Sequence, residues 1–221
     1  MLYERLVLIH ELLADDGSLY LHCAPNVSHS LHSHLRMTGK WGVYRRGERW
    51  RRSARRAWLV IRTDTHEVVQ FDGPVLELMA DSRTRFDQRL AALGPDVLAD
   101  DFDEGAFLRR LREDDPTRGI GDALLDQRNV AGIGNLWKAE ACFAARLDPW
   151  RCASEVSDGE ALEVVRAARS TMRRSLEDGL RTKPSVYGRA GLPCRRCDTL
   201  VLARGQGEQA RTTFWCPACQ S

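Results

Sequence analysis

Four of the seven cysteines lie near the end of the chain in two Cys-x-x-Cys pairs. The pairs are Cys194 with Cys197 and Cys216 with Cys219, and 18 residues separate them. This spacing is typical of a structural zinc site, because each pair supplies two thiolates and the intervening hairpin closes a tetrahedral shell. With four sulfur ligands the ion has no open position for chemistry, so the sequence predicts structural Zn²⁺ as a cofactor. A redox-active Cys-x-x-Cys pair is the alternative.

The segment 124–140, LLDQRNVAGIGNLWKAE, predicts two helical stretches joined by a glycine turn. Gly132 and Gly134 carry no Cβ, so a ligand can come close to the backbone there. Asn135 follows where an N-cap belongs, at the positive end of the second helix. Bare N–H groups at such a terminus favour an anion, which we interpret as a DNA phosphate. A plain helix-turn-helix hairpin is the alternative.

Basic residues are concentrated in one part of the chain. The net charge is only +2, but residues 36–56 hold nine arginines and lysines and a single glutamate, whereas residues 95–115 are acidic. This asymmetry favours one face directed at phosphates, and a solvated arginine-rich loop is the alternative.

Two classes of protein are excluded by composition. The sequence contains no apolar run of 18 residues, so no transmembrane helix and no membrane partner are expected. Residues 1–14 lack a basic start and do not form a convincing signal peptide.

The other three cysteines, Cys23, Cys142 and Cys152, are scattered and do not form a disulfide framework. They indicate a reducing compartment, and we expect a cytoplasmic protein.

The periodicity of apolar residues predicts the strands and helices in which these segments lie. After an amphipathic helix over residues 1–14, strands are predicted at 18–23, 57–63, 67–71 and 75–79. Helices are predicted at 104–113, 118–127, 136–145 and 158–180. The cysteine pairs flank a predicted hairpin with strands at 201–204 and 211–215 and a turn at 205–207.

Three segments together resemble one known family. They are LHSHLRMTGKWGVYRR from Leu31, the glycine turn ending at Asn135, and the cysteine hairpin that opens with VYGR at 186–189. Over residues 31–221 the chain resembles the formamidopyrimidine-DNA glycosylase/endonuclease VIII family, in particular its actinobacterial endonuclease VIII-like branch. The resemblance implies a DNA glycosylase and abasic-site (AP) lyase of base-excision repair that acts on oxidised bases. Its expected partner is double-stranded DNA with a damaged base or abasic site, bound by a monomer.

The resemblance also assigns residues. It implies that Asn135 binds a backbone phosphate at the lesion and that Arg211 assists the second elimination. Arg36 and Met37 fall where the family fills the gap left by an everted base, although a methionine there also fits a strand core. The resemblance implies that Glu140 lies near the extruded nucleotide or orients the catalytic amine, and an exposed helix position without a special role is the alternative. The remaining residues assigned to DNA contact are Gly132, Gly134, Tyr187 and Arg189; for Tyr187, packing beneath the hairpin is the favoured alternative.

The predicted fold class is α+β with several domains. An incomplete β-sandwich is expected at 30–95, a helix-two-turn-helix domain at 96–183 and a zinc ribbon at 184–221. Residues 1–29 are set apart as an atypical segment that resembles a fragment of an amino-type DNA methyltransferase.

The chain departs from the family at its first residues. Met1-Leu2-Tyr3-Glu4 replaces the family's Met-Pro-Glu opening, and no segment matches the strand that carries the family's catalytic lysine. The sequence therefore predicts weak binding of damaged or abasic DNA and little or no glycosylase activity. The alternatives are a non-catalytic damaged-DNA-binding module and a zinc-ribbon interaction protein that binds no nucleic acid.

Overall fold

The computed structural model describes residues 18–22, 29–34, 39–80, 83, 86–178 and 183–220. The chain forms two compact units, one from residue 1 to 91 and the other from residue 92 to 221. The helix predicted over residues 1–14 lies outside the described residues, as do Arg36 and Met37. Among the helices of the described residues, none is long and apolar enough to span a membrane.

Strands β1 to β6 build two antiparallel sheets in the first unit. The strands are β1 (Ser18–His22), β2 (His29–His34), β3 (Lys40–Arg45), β4 (Ala57–Arg62), β5 (His66–Phe71) and β6 (Val75–Ala80). One sheet has the order β1-β2-β6 and the other β3-β5-β4. The strands predicted at 18–23, 57–63, 67–71 and 75–79 are confirmed, each with one end shifted by one residue.

The core of the β3-β5-β4 sheet is aromatic. Its central strand β5 is buried over its last four residues. Tyr44 of β3 and Trp50 of the following loop pack against Phe71, with ring centroids 6.4 Å and 5.9 Å away. The buried Gln70 amide donates a hydrogen bond to the hydroxyl of the buried Ser33, which lies on β2. The loop after β3 is therefore fixed to its sheet, and one polar contact joins β5 to the other sheet.

A short helix, α1 (Gln88–Ala91), ends the first unit, and the second unit is mainly helical. Helix α2 (Glu104–Glu113) has the predicted bounds, with Asp103 accepting a hydrogen bond from Ala106 N–H at its N-terminus. Helix α3 (Ile120–Ala123) is shorter than the predicted 118–127. The prediction was wrong because Asp126 accepts from Arg128 N–H and Asn129 donates to the Ala123 carbonyl, and such local bonds compete with a helix.

The two remaining helices form the core of the second unit. Helix α4 (Asn135–Ala144) is buried from residue 137 to 143 and packs against α5 (Asp158–Glu177). Ser157 and Glu160 form a reciprocal capping box that fixes the start of α5. Predicted to end at residue 180, α5 ends at Glu177.

The cysteine hairpin packs on α4. Its strands are β7 (Leu202–Gln206) and β8 (Arg211–Trp215), paired antiparallel from Gln206 opposite Arg211. The turn predicted at 205–207 was wrong, since the strands extend to residue 206 and the turn occupies 207–210. One buried cluster combines α4 and the hairpin region: Ala139, Phe143, Val186, Cys194, Val201 and Cys216.

Candidate functional site

The glycine turn before α4 is held by one glutamine. Gln127 accepts a hydrogen bond from Gly132 N–H at 2.8 Å, and its amide donates to the carbonyls of Leu125 and Ile133 at 3.1 Å each. Gly132 has φ of +97°, a conformation that glycine adopts without strain. The prediction of bare N–H groups is therefore wrong for Gly132, whose N–H is already bonded.

Asn135 turns towards the cysteine hairpin. The N-cap of α4 is Gly134, in extended conformation, and Asn135 is the first residue of the helix. Its predicted role as the N-cap residue is wrong, because its side-chain amide donates to the Thr212 carbonyl of β8 at 2.9 Å. The first N–H groups of α4 remain without acceptors inside the helix, as at every helix start. They keep the anion-binding character expected of this terminus.

Arg211 lies beside this contact. It is the first residue of β8 and directly precedes Thr212, which accepts the bond from Asn135. Its Nε donates to Gln209 Oε1 at 2.9 Å. The structure thus brings together four residues that the sequence assigned to DNA: Gly132, Gly134, Asn135 and Arg211.

A buried polar chain behind these residues escaped the sequence analysis. Lys138 is fully buried, and its Nζ donates to Thr213 Oγ1 at 2.5 Å. Thr213 in turn donates to Gln206 Oε1, and Gln206 donates to the Pro149 carbonyl, both at 2.7 Å. Burial lowers the pKa of Lys138 to about 8. The available signal was a lysine between apolar residues of a predicted helix, Trp137 and Ala139.

The hairpin turn fits closely against α3. Gly207 has φ of +69°, and a Cβ at this position would overlap the Asp122 carboxylate. Asp122 accepts a hydrogen bond from Arg118 Nε at 2.7 Å. Arg118 also forms ion pairs with Asp114 at 2.9 Å and Asp126 at 3.0 Å. This cluster, Arg118 with its three aspartates, sets the surface on which the hairpin turn lies.

Glu140 fastens the segment that enters the cysteine region. Only 8% exposed, its carboxylate accepts N–H bonds from Ser185 at 2.8 Å and from Val186 and Tyr187 at 2.9 Å. Three donors on one carboxylate make this a charge-assisted clamp between α4 and the chain that follows α5. No local pattern predicts this clamp, because the donors are backbone groups 45 to 47 residues away.

Tyr187 and Arg189 lie at the start of the cysteine region. The Tyr187 ring packs edge-on against Phe214 of β8, with centroids 5.2 Å apart. Arg189 donates to the Pro193 carbonyl at 2.8 Å. Both side chains thus make contacts within the region that carries the hairpin.

The four predicted metal ligands converge. The sulfur atoms of Cys194, Cys197, Cys216 and Cys219 lie within 4.8 Å of one another. Cys197 Sγ is 3.5 Å from Cys216 Sγ and 3.3 Å from Cys219 Sγ. Tetrahedral zinc with bonds of about 2.3 Å requires sulfur separations of about 3.8 Å. The donor set and its spacing therefore suit a metal ion such as zinc.

Comparisons with known proteins agree on one family. The family profile described as the formamidopyrimidine-DNA glycosylase H2TH domain matches residues 93–185. The Mycolicibacterium smegmatis protein named DNA-(apurinic or apyrimidinic site) lyase Nei2 is 34% identical, over 96% of this chain and 82% of that protein. Endonuclease 8 2 of Mycobacterium tuberculosis is 39% identical, over 86% of this chain and 76% of that protein.

A solved structure shares the fold. The Lactococcus lactis formamido-pyrimidine DNA glycosylase, non-covalently bound to DNA containing an AP site, matches with a TM-score of 0.74 at 24% identity. The match covers 93% of this chain and 80% of that one. The predicted order of an N-terminal sheet region followed by a helix-two-turn-helix region is confirmed. The resemblance of residues 1–29 to a DNA methyltransferase finds no support in these comparisons.

Proposed function

The chain belongs to the formamidopyrimidine-DNA glycosylase/endonuclease VIII family of DNA glycosylases and abasic-site lyases, and on that premise we propose that it excises oxidised bases from double-stranded DNA. The names of the two mycobacterial relatives, an abasic-site lyase and an endonuclease 8, support this reaction class. Base-excision repair is the process in which such an activity serves.

The observation that carries the proposal is the contact between Asn135 and the hairpin. Because Asn135 bonds to Thr212, the start of α4 and Arg211 are held side by side. A helix N-terminus and an arginine form a site for one phosphate group, through N–H donors, dipole and charge. We propose that this site, with Gly132 and Gly134 in its turn, binds the backbone phosphate at the lesion.

The proposed reaction follows from binding at that phosphate. The damaged nucleotide rotates out of the duplex, and Arg36 and Met37 fill the gap, by resemblance to the family. A neutral amine of the protein attacks C1′ and displaces the damaged base, and opening of the sugar ring then gives a Schiff base. Two successive eliminations expel the phosphates on either side of the lesion, and Arg211 assists the second of them. Tyr187 and Arg189 support the DNA-facing hairpin at its base.

We further propose that the four cysteines bind one structural Zn²⁺. The ion would fix the two ends of the hairpin, and therefore the position of Thr212 against Asn135. The short sulfur separations and the all-thiolate donor set support a closed site without an open coordination position.

Borohydride trapping tests the reaction. The full chain is incubated with a duplex carrying one abasic site and reduced with borohydride, which converts a Schiff base into a stable covalent adduct. We expect an adduct with abasic DNA, in the low yield that the weak activity predicted from the sequence implies, and none with the intact duplex. Retained preference for abasic DNA without any adduct would instead assign the alternative, a non-catalytic damaged-DNA-binding module.

The phosphate site is tested by replacing Asn135 and Arg211 together with alanine and measuring the affinity of the variant for abasic DNA. Loss of the charge-assisted bond from Arg211, and of the Asn135 contact that holds Arg211 beside the start of α4, should weaken affinity for abasic DNA about 100-fold. Arg174→Ala, which removes one exposed arginine of α5, is the matched control and should retain binding. Equal affinity of the double variant and the control would overturn the assignment of the site.

A further inference from the structure

The proposed phosphate site leaves one buried charge unexplained. Lys138 has no exposed surface, and its amine hydrogen-bonds to the Thr213 hydroxyl. Within the described residues no carboxylate forms an ion pair with it. A buried ammonium without a carboxylate partner is unfavourable in a protein of ordinary design, so its position calls for a physical reason.

The position of Lys138 is defined by the site itself. It lies three residues after Asn135, hence on the same side of α4. Its partner Thr213 directly follows Thr212, to which Asn135 is bonded. Arg211 and Thr213 are two residues apart on β8 and therefore point to the same face of the strand. The amine lies directly behind the two groups that would bind the phosphate.

The charged groups around Lys138 come from three elements. Asp122 of α3 favours the ammonium, but this carboxylate is already bonded to Arg118. Arg211 of β8 disfavours it by like charge. On α4 itself, burial raises the pKa of the Cys142 thiol to about 12, so that group is neutral. Helix α5, which packs on α4, contributes buried side chains without charge: Ala161, Val164, Val165, Ala168, Met172 and Ser175.

We propose that Lys138 is a positioning residue and a buried cation of the DNA phosphate site, and that binding of the phosphate draws a proton onto its amine. The inference rests on the proposed function, since it requires the anion to lie at the start of α4. The proton comes from solvent and adds to the Nζ lone pair, so no bond of the DNA changes. In the free protein burial holds the pKa of Lys138 at about 8, so the amine gains or loses its proton within an accessible range.

The sign of the pH effect follows from linkage. An anion nearby raises the pKa of the ammonium in the complex above its value in the free protein, so protonation and binding favour each other. The affinity for abasic DNA should be constant well below pH 8. It should fall as the pH rises through the pKa of Lys138 in the free protein, and it should become constant again above the pKa of Lys138 in the complex. A pKa difference of about one unit gives a total loss of about tenfold.

Calorimetry measures the proton directly. Titration of the zinc-loaded protein with abasic DNA at pH 8, in two buffers of different ionisation enthalpy, reports the number of protons taken up. We expect uptake of about 0.4 proton for a one-unit difference. Lys138→Met should abolish the uptake, whereas Thr213→Val, which removes the hydroxyl but keeps the amine, should retain it.

Each result separates the inference from the proposed function. Binding with equal uptake in Lys138→Met would overturn the role of Lys138 and place the proton elsewhere, for example on the α-amino group. Absence of DNA binding by the unaltered protein would overturn the proposed function instead. If Lys138→Met does not fold, the ¹³Cε resonance of Lys138 is titrated in the unaltered protein. A midpoint that rises on addition of DNA supports the inference, and an unchanged midpoint overturns it.

Discussion

Glu140 illustrates how much of this protein depends on single buried acceptors. Its carboxylate serves three consecutive backbone N–H groups of the chain that enters the cysteine region. An exposed helical glutamate would need no such partners. Glu140 is therefore a structural residue that joins α4 to the following segment, whatever further role the family resemblance implies for an acid at this place.

Replacement of Glu140 by glutamine tests this role. The neutral amide has one acceptor oxygen and introduces two donors, so at least one N–H loses its bond. We expect a decrease in the free energy of unfolding of about 1–3 kcal/mol, measured by urea denaturation with zinc present. Glu163→Gln, on the exposed side of α5, is the control and should change stability little. Equal stability of the two variants would contradict the clamp.

At the scale of elements, Arg118 connects the end of α2, the helix α3 and the turn that follows it. Hydrogen bonds from Arg128 and Arg118 hold the pKa of Asp126 well below its ordinary value, against the opposing effect of partial burial. Because the pKa of Asp126 is lower in the folded protein than in the unfolded chain, its ionised carboxylate stabilises the fold at a pH above the pKa of the unfolded chain. This contribution is lost as the pH falls towards the pKa of the folded protein.

Asp126→Asn should therefore be less stable than the unaltered protein at pH 7. The difference in stability between the two proteins should decrease as the pH falls below about 4, the ordinary pKa of an aspartate. Melting temperatures of both proteins, measured side by side from pH 7 to pH 3, check this expectation, and the comparison cancels any shared effect of metal loss. If the difference in melting temperature between the two proteins did not change with pH, Asp126 would not be a source of acid sensitivity.

The proposed metal site belongs to the same scale, because bound zinc would close the hairpin that carries Thr212 and Arg211. A purified sample should contain one zinc per chain. Cys197→Ser should lose most of that zinc, melt at a lower temperature and bind abasic DNA more weakly. Cys152→Ser, which alters a cysteine outside the quartet, should match the unaltered protein in all three measurements. Elemental analysis showing full zinc content in Cys197→Ser would refute the four-thiolate site.

The sequence was sufficient for features whose signals are local. Helix α2 has the predicted bounds, because a capping aspartate and an apolar stripe mark it. The Cys-x-x-Cys pairs predicted by spacing alone the four cysteines whose sulfur atoms converge. The cap at Gly134, the early end of α3 and the bond of Lys138 to Thr213 were missed. Each of them is decided by partners far along the chain or by competing side-chain bonds that no periodicity records.

At the scale of the whole molecule, each unit presents its own basic groups. In the first unit the loop between β3 and β4 is fixed by Trp50, whose Nε1 donates to Glu67. Arg52 and Arg56 of this loop are bonded to Asp72. Five other arginines are exposed, and none forms an ion pair among the described residues: Arg45, Arg46, Arg49, Arg51 and Arg55. The predicted phosphate-directed face would thus carry exposed arginines from the end of β3 and from a loop that is fixed to its sheet.

Replacing Arg49, Arg51 and Arg55 together with glutamine tests that face. Each lost phosphate contact should reduce the salt slope of binding by about 0.9, equally for intact and abasic duplexes. Fluorescence anisotropy between 50 and 200 mM salt provides the slope. Arg62→Gln is the control, because Arg62 is already paired with Glu67. A slope that stays the same in the triple variant would leave the loop as a solvated surface.

The close fit of Gly207 against Asp122 limits how this protein can diverge. Residue 207 is on the surface, where most substitutions have little effect, yet its left-handed backbone strains any other residue and the facing Asp122 carboxylate occupies the place of a Cβ. In a library of random variants selected for folded protein, substitutions at residue 207 should be as rare as substitutions at a position in the hydrophobic core. Folded variants that carry alanine at position 207 should also carry a smaller residue at position 122. Residues 207 and 122 should therefore change together.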